Sequence, residues 1–155
     1  MRCLLWISLL CLTLCAQAAG PAGVTLPLGQ GQRARYTLGI HTPKATISGL
    51  CLLVADSTTV RGSVVNEFGV KAFDLVYVPA TRKVRLLHLM PMLDRWYIRR
   101  VLGTDLGILL SGEVPRRGAS RRVVQADTCQ HVLTLYNNRH HITYQLKPLY
   151  DDATE

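Results

Sequence analysis

The segment from Val70 to Val78 constrains this chain more than any other, because it alternates strictly and is apolar on both sides. Lys71, Phe73, Leu75 and Tyr77 share one face; Val70, Ala72, Asp74, Val76 and Val78 share the other. A strand of that composition needs cover on each side, so the reading places it centrally in a sheet. Asn66-Glu67-Phe68-Gly69 ahead of it suits a turn or bulged corner, since Asn and Gly most readily accept positive φ. Thr59 to Asn66 and Lys83 to Leu89 alternate on either side of it, the second reached through Pro79-Ala80-Thr81-Arg82. With Arg33 to Ile40 and Ala45 to Ala55, in which Gly49 marks an expected bulge, they make an antiparallel meander.

A helical pattern interrupts the strands. Pro91 suits a first helical turn, and Met92, Leu93, Trp96, Tyr97, Val101 and Leu102 recur at intervals of three and four, with Asp94, Arg95, Arg99 and Arg100 polar between them. Gly103 is expected to stop this helix, and Thr104-Asp105 to cap a shorter one from Leu106 to Leu110. Strands resume at Val123 to Ala126, Val132 to Tyr136 and Ile142 to Lys147. One amphipathic helix covers one sheet face only. The other must meet a second sheet, a short helix or a ligand.

The N-terminus reads as a secretory signal peptide over residues 1–18: Arg2, an apolar run from Leu4 to Cys15, then Ala16-Gln17-Ala18. That run falls short of the roughly 20 residues a membrane-spanning helix needs. Lipid attachment at Cys11 or Cys15 is the alternative, disfavoured by the leucine before each. Residues 19–32 read as a flexible leader, 33–150 as a single domain and 151–155 as a frayed acidic tail. This organisation implies export across the inner membrane, with the periplasm the expected compartment and a lipid anchor in the envelope the alternative.

The formal charge of +8 falls to +7 without Arg2, leaving 17 basic against 10 acidic side chains. Outside the cytoplasm such an excess suits an anionic membrane surface, polysaccharide or an acidic envelope protein rather than nucleic acid. Arg116, Arg117, Arg121 and Arg122 concentrate it in what should be an exposed docking loop. Cys51 and Cys129 are the two cysteines beyond the signal, and an oxidising compartment would permit a disulfide between them.

No catalytic pattern emerges. Gly-x-Ser-x-Gly is absent, both remaining cysteines sit in apolar strand-like segments, and the five histidines lack the partners of a metal site, so neither enzyme activity, metal nor cofactor is expected. A pocket grouping His88 or Glu67 with another titratable side chain would reopen the enzyme reading. Phe68 at its corner could gate a cavity or plug a sheet edge, and Trp96 and Tyr97 could touch a ligand or pack in the core.

NEFGVKAFDLVY, KVRLLHLMPMLDRWYIRRVL and the short apolar segment after them resemble a group of small, uncharacterised extracytoplasmic proteins and lipoproteins from Bacteroidetes bacteria. More distantly the chain is similar to the lipoprotein-carrier fold of the LolA and LolB type. The resemblance implies a mainly β fold with α, in which a curved antiparallel sheet forms an unclosed half-barrel covered by the amphipathic helix and a short second helix. It also implies an apolar hollow between sheet and helix that holds a lipid, an acyl chain or a lipidated segment of a protein. Phe68, Phe73, Leu75, Tyr77, Leu86, Trp96 and Tyr97 are the candidates to line it. The competing expectation is an envelope interaction module that takes no small ligand and docks through the basic loop.

Overall fold

The computed structural model describes residues 29–113, 121–127 and 129–149. Eight strands alternate inward and outward side chains: β1 (Arg33–His41), β2 (Thr46–Ala55), β3 (Val60–Asn66), β4 (Lys71–Val78), β5 (Lys83–Leu87), β6 (Arg122–Asp127), β7 (Val132–Asn137) and β8 (Ile142–Pro148). They form one antiparallel sheet in the order β5-β4-β3-β2-β1-β8-β7-β6. The helix α1 (Trp96–Ser111) lies between β5 and β6 in sequence and packs against β5 and β7. The chain therefore leaves one edge of the sheet, crosses its concave face as a helix and enters the other edge. The result is an open half-barrel with a helix in its trough, as expected.

The trough is filled by the inward members of each strand, which meet as cross-strand sets. Tyr36 faces Cys51, Cys51 faces Val64 and Val64 faces Phe73. One layer along, Leu38 pairs Leu146, which pairs Leu133. All of these side chains are buried. The period-two pattern places every one of them on the same face, and their burial supplies the driving force for curling the sheet over α1.

Several expectations need correction. β4 is not a central strand: it is second from an edge, and its outer residues Asp74, Val76 and Val78 are half-buried with no second layer above them among the described residues. Its neighbours' side chains shield them in part, so an apolar pattern on two faces does not require two covering layers. The corner before β4 is bulged as expected. The register slips between Val64 and Val65, Gly69 takes φ 76°, and Asn66 Oδ1 accepts from the backbone N–H groups of Phe68 and Val70. Gly49 marks no bulge; a Cβ there would stand 2.3 Å from the Val65 carbonyl oxygen, so its role is close backbone approach.

The single helix also differs from the expected pair. Residues Met90 to Arg95 form turns, with Leu93 N–H donating to the Met90 carbonyl, and α1 begins only at Trp96, without a side-chain cap at Arg95. It then runs through Gly103 to a left-handed Gly112, so no second short helix exists among the described residues. Gly103 and Gly107 are a contact face rather than breaks: a Cβ on Gly107 would come within 2.8 Å of the Arg82 carbonyl oxygen, and one on Gly103 within 3.4 Å of that of Val84. At Gly107 the gain from seating α1 against β5 outweighs a glycine penalty of about 1 kcal/mol, whereas at Gly103 the space would take a methyl group.

The segment expected to be a signal peptide, the expected leader before Gly29, Arg116 and Arg117 and residues 150–155 lie outside the described residues. The end of the leader is tied down: Gly31 donates to the Ala55 carbonyl at 2.8 Å and Ala55 donates to that of Gln32 at 2.9 Å. The disulfide does not form. Cys51 is buried on β2, whereas Cys129 sits in the exposed β6–β7 turn, and both thiols are free. Four strand spacings of about 4.8 Å separate β2 from β6 along the sheet, far beyond the roughly 7 Å between Cα atoms that a bridge tolerates. Burial pushes the Cys51 thiol up to about 12.

A candidate ligand-binding hollow

Between α1 and the concave face lies a hollow of about 460 Å³. Its sheet side is made by Leu38, Ile40, Ile47, Val64, Phe73 and Ile142, drawn from five strands. Its helix side is made by Tyr97, Ile98, Val101 and Leu102, four consecutive contacts on the turn-spaced face of α1, with Leu93 from the preceding turns. Pro43, Lys44, Tyr97 and His140, all exposed, stand at its outer end. The walls are almost wholly apolar, the polar lining residues being Thr42, Lys44, His140 and the two tyrosines Tyr97 and Tyr144.

Behind Tyr144 is a buried polar cluster that the sequence did not suggest. Asp105, with no solvent exposure, accepts from Arg122 Nε at 2.6 Å and from Asn137 Nδ2 at 2.6 Å. Tyr144 also bonds to it; burial, and then the adjacent Asp105 charge, push the Tyr144 phenol well above its ordinary value, so it stays a donor. One carboxylate thus ties α1 to β6, β7 and β8. Both of its oxygens are occupied, which is the condition for a buried charge to persist. Asp105 is an interior residue of α1 and not the cap expected from the sequence; its spacing from Leu102 and Leu109 on one helical face is the signal that places it inward.

The seven expected lining residues divide three ways. Phe73 and Tyr97 line the hollow. Leu75, Tyr77 and Leu86 are buried in the core without reaching it. Phe68 and Trp96 are exposed and are not part of its lining, so Phe68 neither plugs an edge nor closes this hollow, and Trp96 is not a core residue. The helical spacing that paired Trp96 with the core included turn residues before the true helix start, which shifted the apparent buried face.

The basic loop also divides. Arg121 is exposed, but Arg122 is the first residue of β6 and is committed to Asp105, its side chain only 20% exposed.

His88 does gather other titratable groups, on the convex face. Its Nδ1 lies 2.8 Å from Asp74 Oδ2, which Lys71 Nζ approaches at 3.2 Å, while the Ser63 hydroxyl donates to Asp74 Oδ1 at 2.5 Å. Burial would raise the Asp74 carboxyl, but these three hydrogen bonds outweigh it and hold the carboxyl below its usual range. An aspartate orienting an imidazole is half of a general-base arrangement. The Ser63 hydroxyl, however, is bonded to the carboxylate and not to the imidazole, so it is not aligned as a nucleophile for His88. The geometry is that of a clip joining β3, β4 and the end of β5.

Among the described residues no group of three or more His, Cys, Asp or Glu is placed to hold a metal ion, and no helix is long and apolar enough to cross a membrane. A scan against protein-family models and a search of curated proteins each match nothing to this chain.

Proposed function

We propose that this chain is a non-enzymatic, extracytoplasmic binding protein that holds a lipid, an acyl chain or the lipidated segment of a protein in the hollow under α1. The observation that carries the reading is an apolar hollow of about 460 Å³ in a chain of this size, open at one end. That volume falls in the range of about 300–1,000 Å³ typical of small-molecule sites. Filled with solvent it would hold on the order of fifteen waters at about 30 Å³ each, and the walls offer them few hydrogen-bond partners. An apolar chain replaces such water favourably. The rim, where Lys44 and His140 stand, suits a polar or anionic head group left outside. The apolar run after Arg2 and the small residues behind it support a secreted protein of the periplasm, and the resemblance to lipoprotein carriers supports the same cargo class.

The competing reading, an assembly module docking through four arginines, is weakened because Arg122 is spent inside the fold. The test is native mass spectrometry of protein taken from envelope extracts, together with displacement of a fluorescent fatty acid. Filling the hollow from both walls with V101W/I142F should abolish retention and displacement while circular dichroism stays unchanged. A ligand-free wild type that ignores the fatty acid probe refutes the proposal.

A further inference from the structure

The antiparallel order brings a set of loops to one end of the half-barrel: the β1–β2 turn (residues 42–45), the β3–β4 corner (67–70), the link from β5 to α1 (88–95) and the β7–β8 turn (138–141). Arg121 joins them, its carbonyl accepting from the Asn138 N–H at 2.9 Å. The hollow opens at this same end, where Pro43, Lys44 and His140 form its rim.

This end is where the chain exposes its large apolar side chains. Phe68 (81%), Trp96 (77%) and Met92 (71%) are the three most exposed large apolar side chains among the described residues, and half-exposed Tyr97 stands beside them. Folding gains little from leaving them in water: all three stay mostly exposed among the described residues, Trp96 even with its edge contact to Tyr97. Exposed cations around them include Lys44, Arg95, Arg100, Arg121 and Arg139; Arg99 is neutralised by Asp94 and Lys71 by Asp74, and Glu67 is the other acid of these loops. The turns at the opposite end, residues 56–59, 79–82 and 129–131, carry none of the large exposed apolar groups.

We propose that the mouth end, rather than the arginine loop as a whole, is a docking surface for an anionic lipid bilayer. Phe68, Met92 and Trp96 enter the interface while Lys44, Arg95 and Arg139 meet the head groups. Aromatic and flexible apolar tips interleaved with cations are the chemistry that an interfacial membrane contact selects. No membrane-spanning segment is needed. Docked in this way, the hollow opens directly onto the bilayer, but the contact stands whatever the hollow holds.

The full chain carrying W6F leaves Trp96 as the sole tryptophan. On vesicles of phosphatidylcholine with phosphatidylglycerol, its emission should shift to the blue and become shielded from aqueous iodide; pure phosphatidylcholine should give neither effect. F68S/M92S and K44Q/R95Q/R139Q should each weaken partitioning about tenfold or more. R33Q/K83Q, at the far end, should leave it unchanged. The proposal is overturned if Trp96 stays open to iodide on vesicle-bound protein, which would assign binding to the N-terminal apolar run, or if R33Q/K83Q weakens binding equally. It is also overturned if vesicles are ignored and Trp96 is shielded only with rising protein concentration, which would make a second copy the occupant. Failure here leaves the fatty acid displacement test untouched, so the two ideas fall separately.

Discussion

From Asp105 to Leu110 every residue of α1 is buried, whereas from Trp96 to Arg100 only Ile98 is better than exposed, although both halves belong to one unbroken helix. The C-terminal half is held by backbone approach at Gly107 and by the Asp105 cluster. The N-terminal half stands over the hollow with a wall on one side and solvent on the other. The difference teaches that one helix can anchor a fold at one end and roof a binding space at the other. Stability should then be concentrated in the first role and ligand or surface binding in the second.

The strongest attempt to break that division is Asp105→Ala. It leaves the Arg122 guanidinium and Asn137 amide without their acceptor, and urea unfolding should show a loss of about 3–5 kcal/mol. Replacing the whole cluster with D105L/R122M/N137L/Y144F should recover much of that loss, because apolar residues of similar volume avoid the desolvation cost. A small effect for Asp105→Ala would mean the anchor lies elsewhere. Leu106→Ala, on the same buried half, should cost about 2–5 kcal/mol through the cavity it leaves.

The two glycines sharpen the comparison within a few residues. At Gly107 an added Cβ meets the Arg82 backbone oxygen at 2.8 Å, so Gly107→Ala should push the helix off β5 and cost about 1–3 kcal/mol in thermal unfolding despite better helix propensity. At Gly103 the nearest atom is 3.4 Å away, an ordinary contact. Gly103→Ala should therefore stabilise by up to about 1 kcal/mol. Equal effects at the two positions would show that α1 is not seated by close approach at Gly107.

Strand alternation is legible because period two acts locally: Phe73, Leu75 and Tyr77 fall on one shared face of β4 from spacing alone, and all three are buried, whereas which face turns inward depends on where α1 packs. The helix was less legible. A glycine normally reads as a stop through its backbone freedom, and only the strand beneath Gly103 and Gly107, remote in sequence, converts it into a contact. The Asp105 cluster was invisible for a related reason, since its partners lie 17 and 32 residues away. Of the expected lining residues, Phe73 was found through strand pattern and Tyr97 through helix pattern. Ile40, Ile47, Ile98 and Ile142 were missed, because which inward residue borders empty space depends on how far α1 sits from the sheet, not on its own alternation.

Trp96→Ala gives the smallest expected effect and the sharpest contrast. The side chain is 77% exposed and makes an edge-to-face contact with Tyr97 at 6.0 Å between ring centres, so its removal forfeits little burial. Urea unfolding should place the variant within about 0.5 kcal/mol of the wild type, as for surface positions without special contacts. Leu106→Ala removes a smaller side chain, from the other half of the same helix, at several times that cost. The inequality runs against side-chain size, so it reports environment alone. If the Trp96 variant unfolded as readily as the Leu106 one, the exposed half of α1 would have to be packed in solution against something the fold does not supply, and the assignment of its two halves to anchoring and to binding would be wrong.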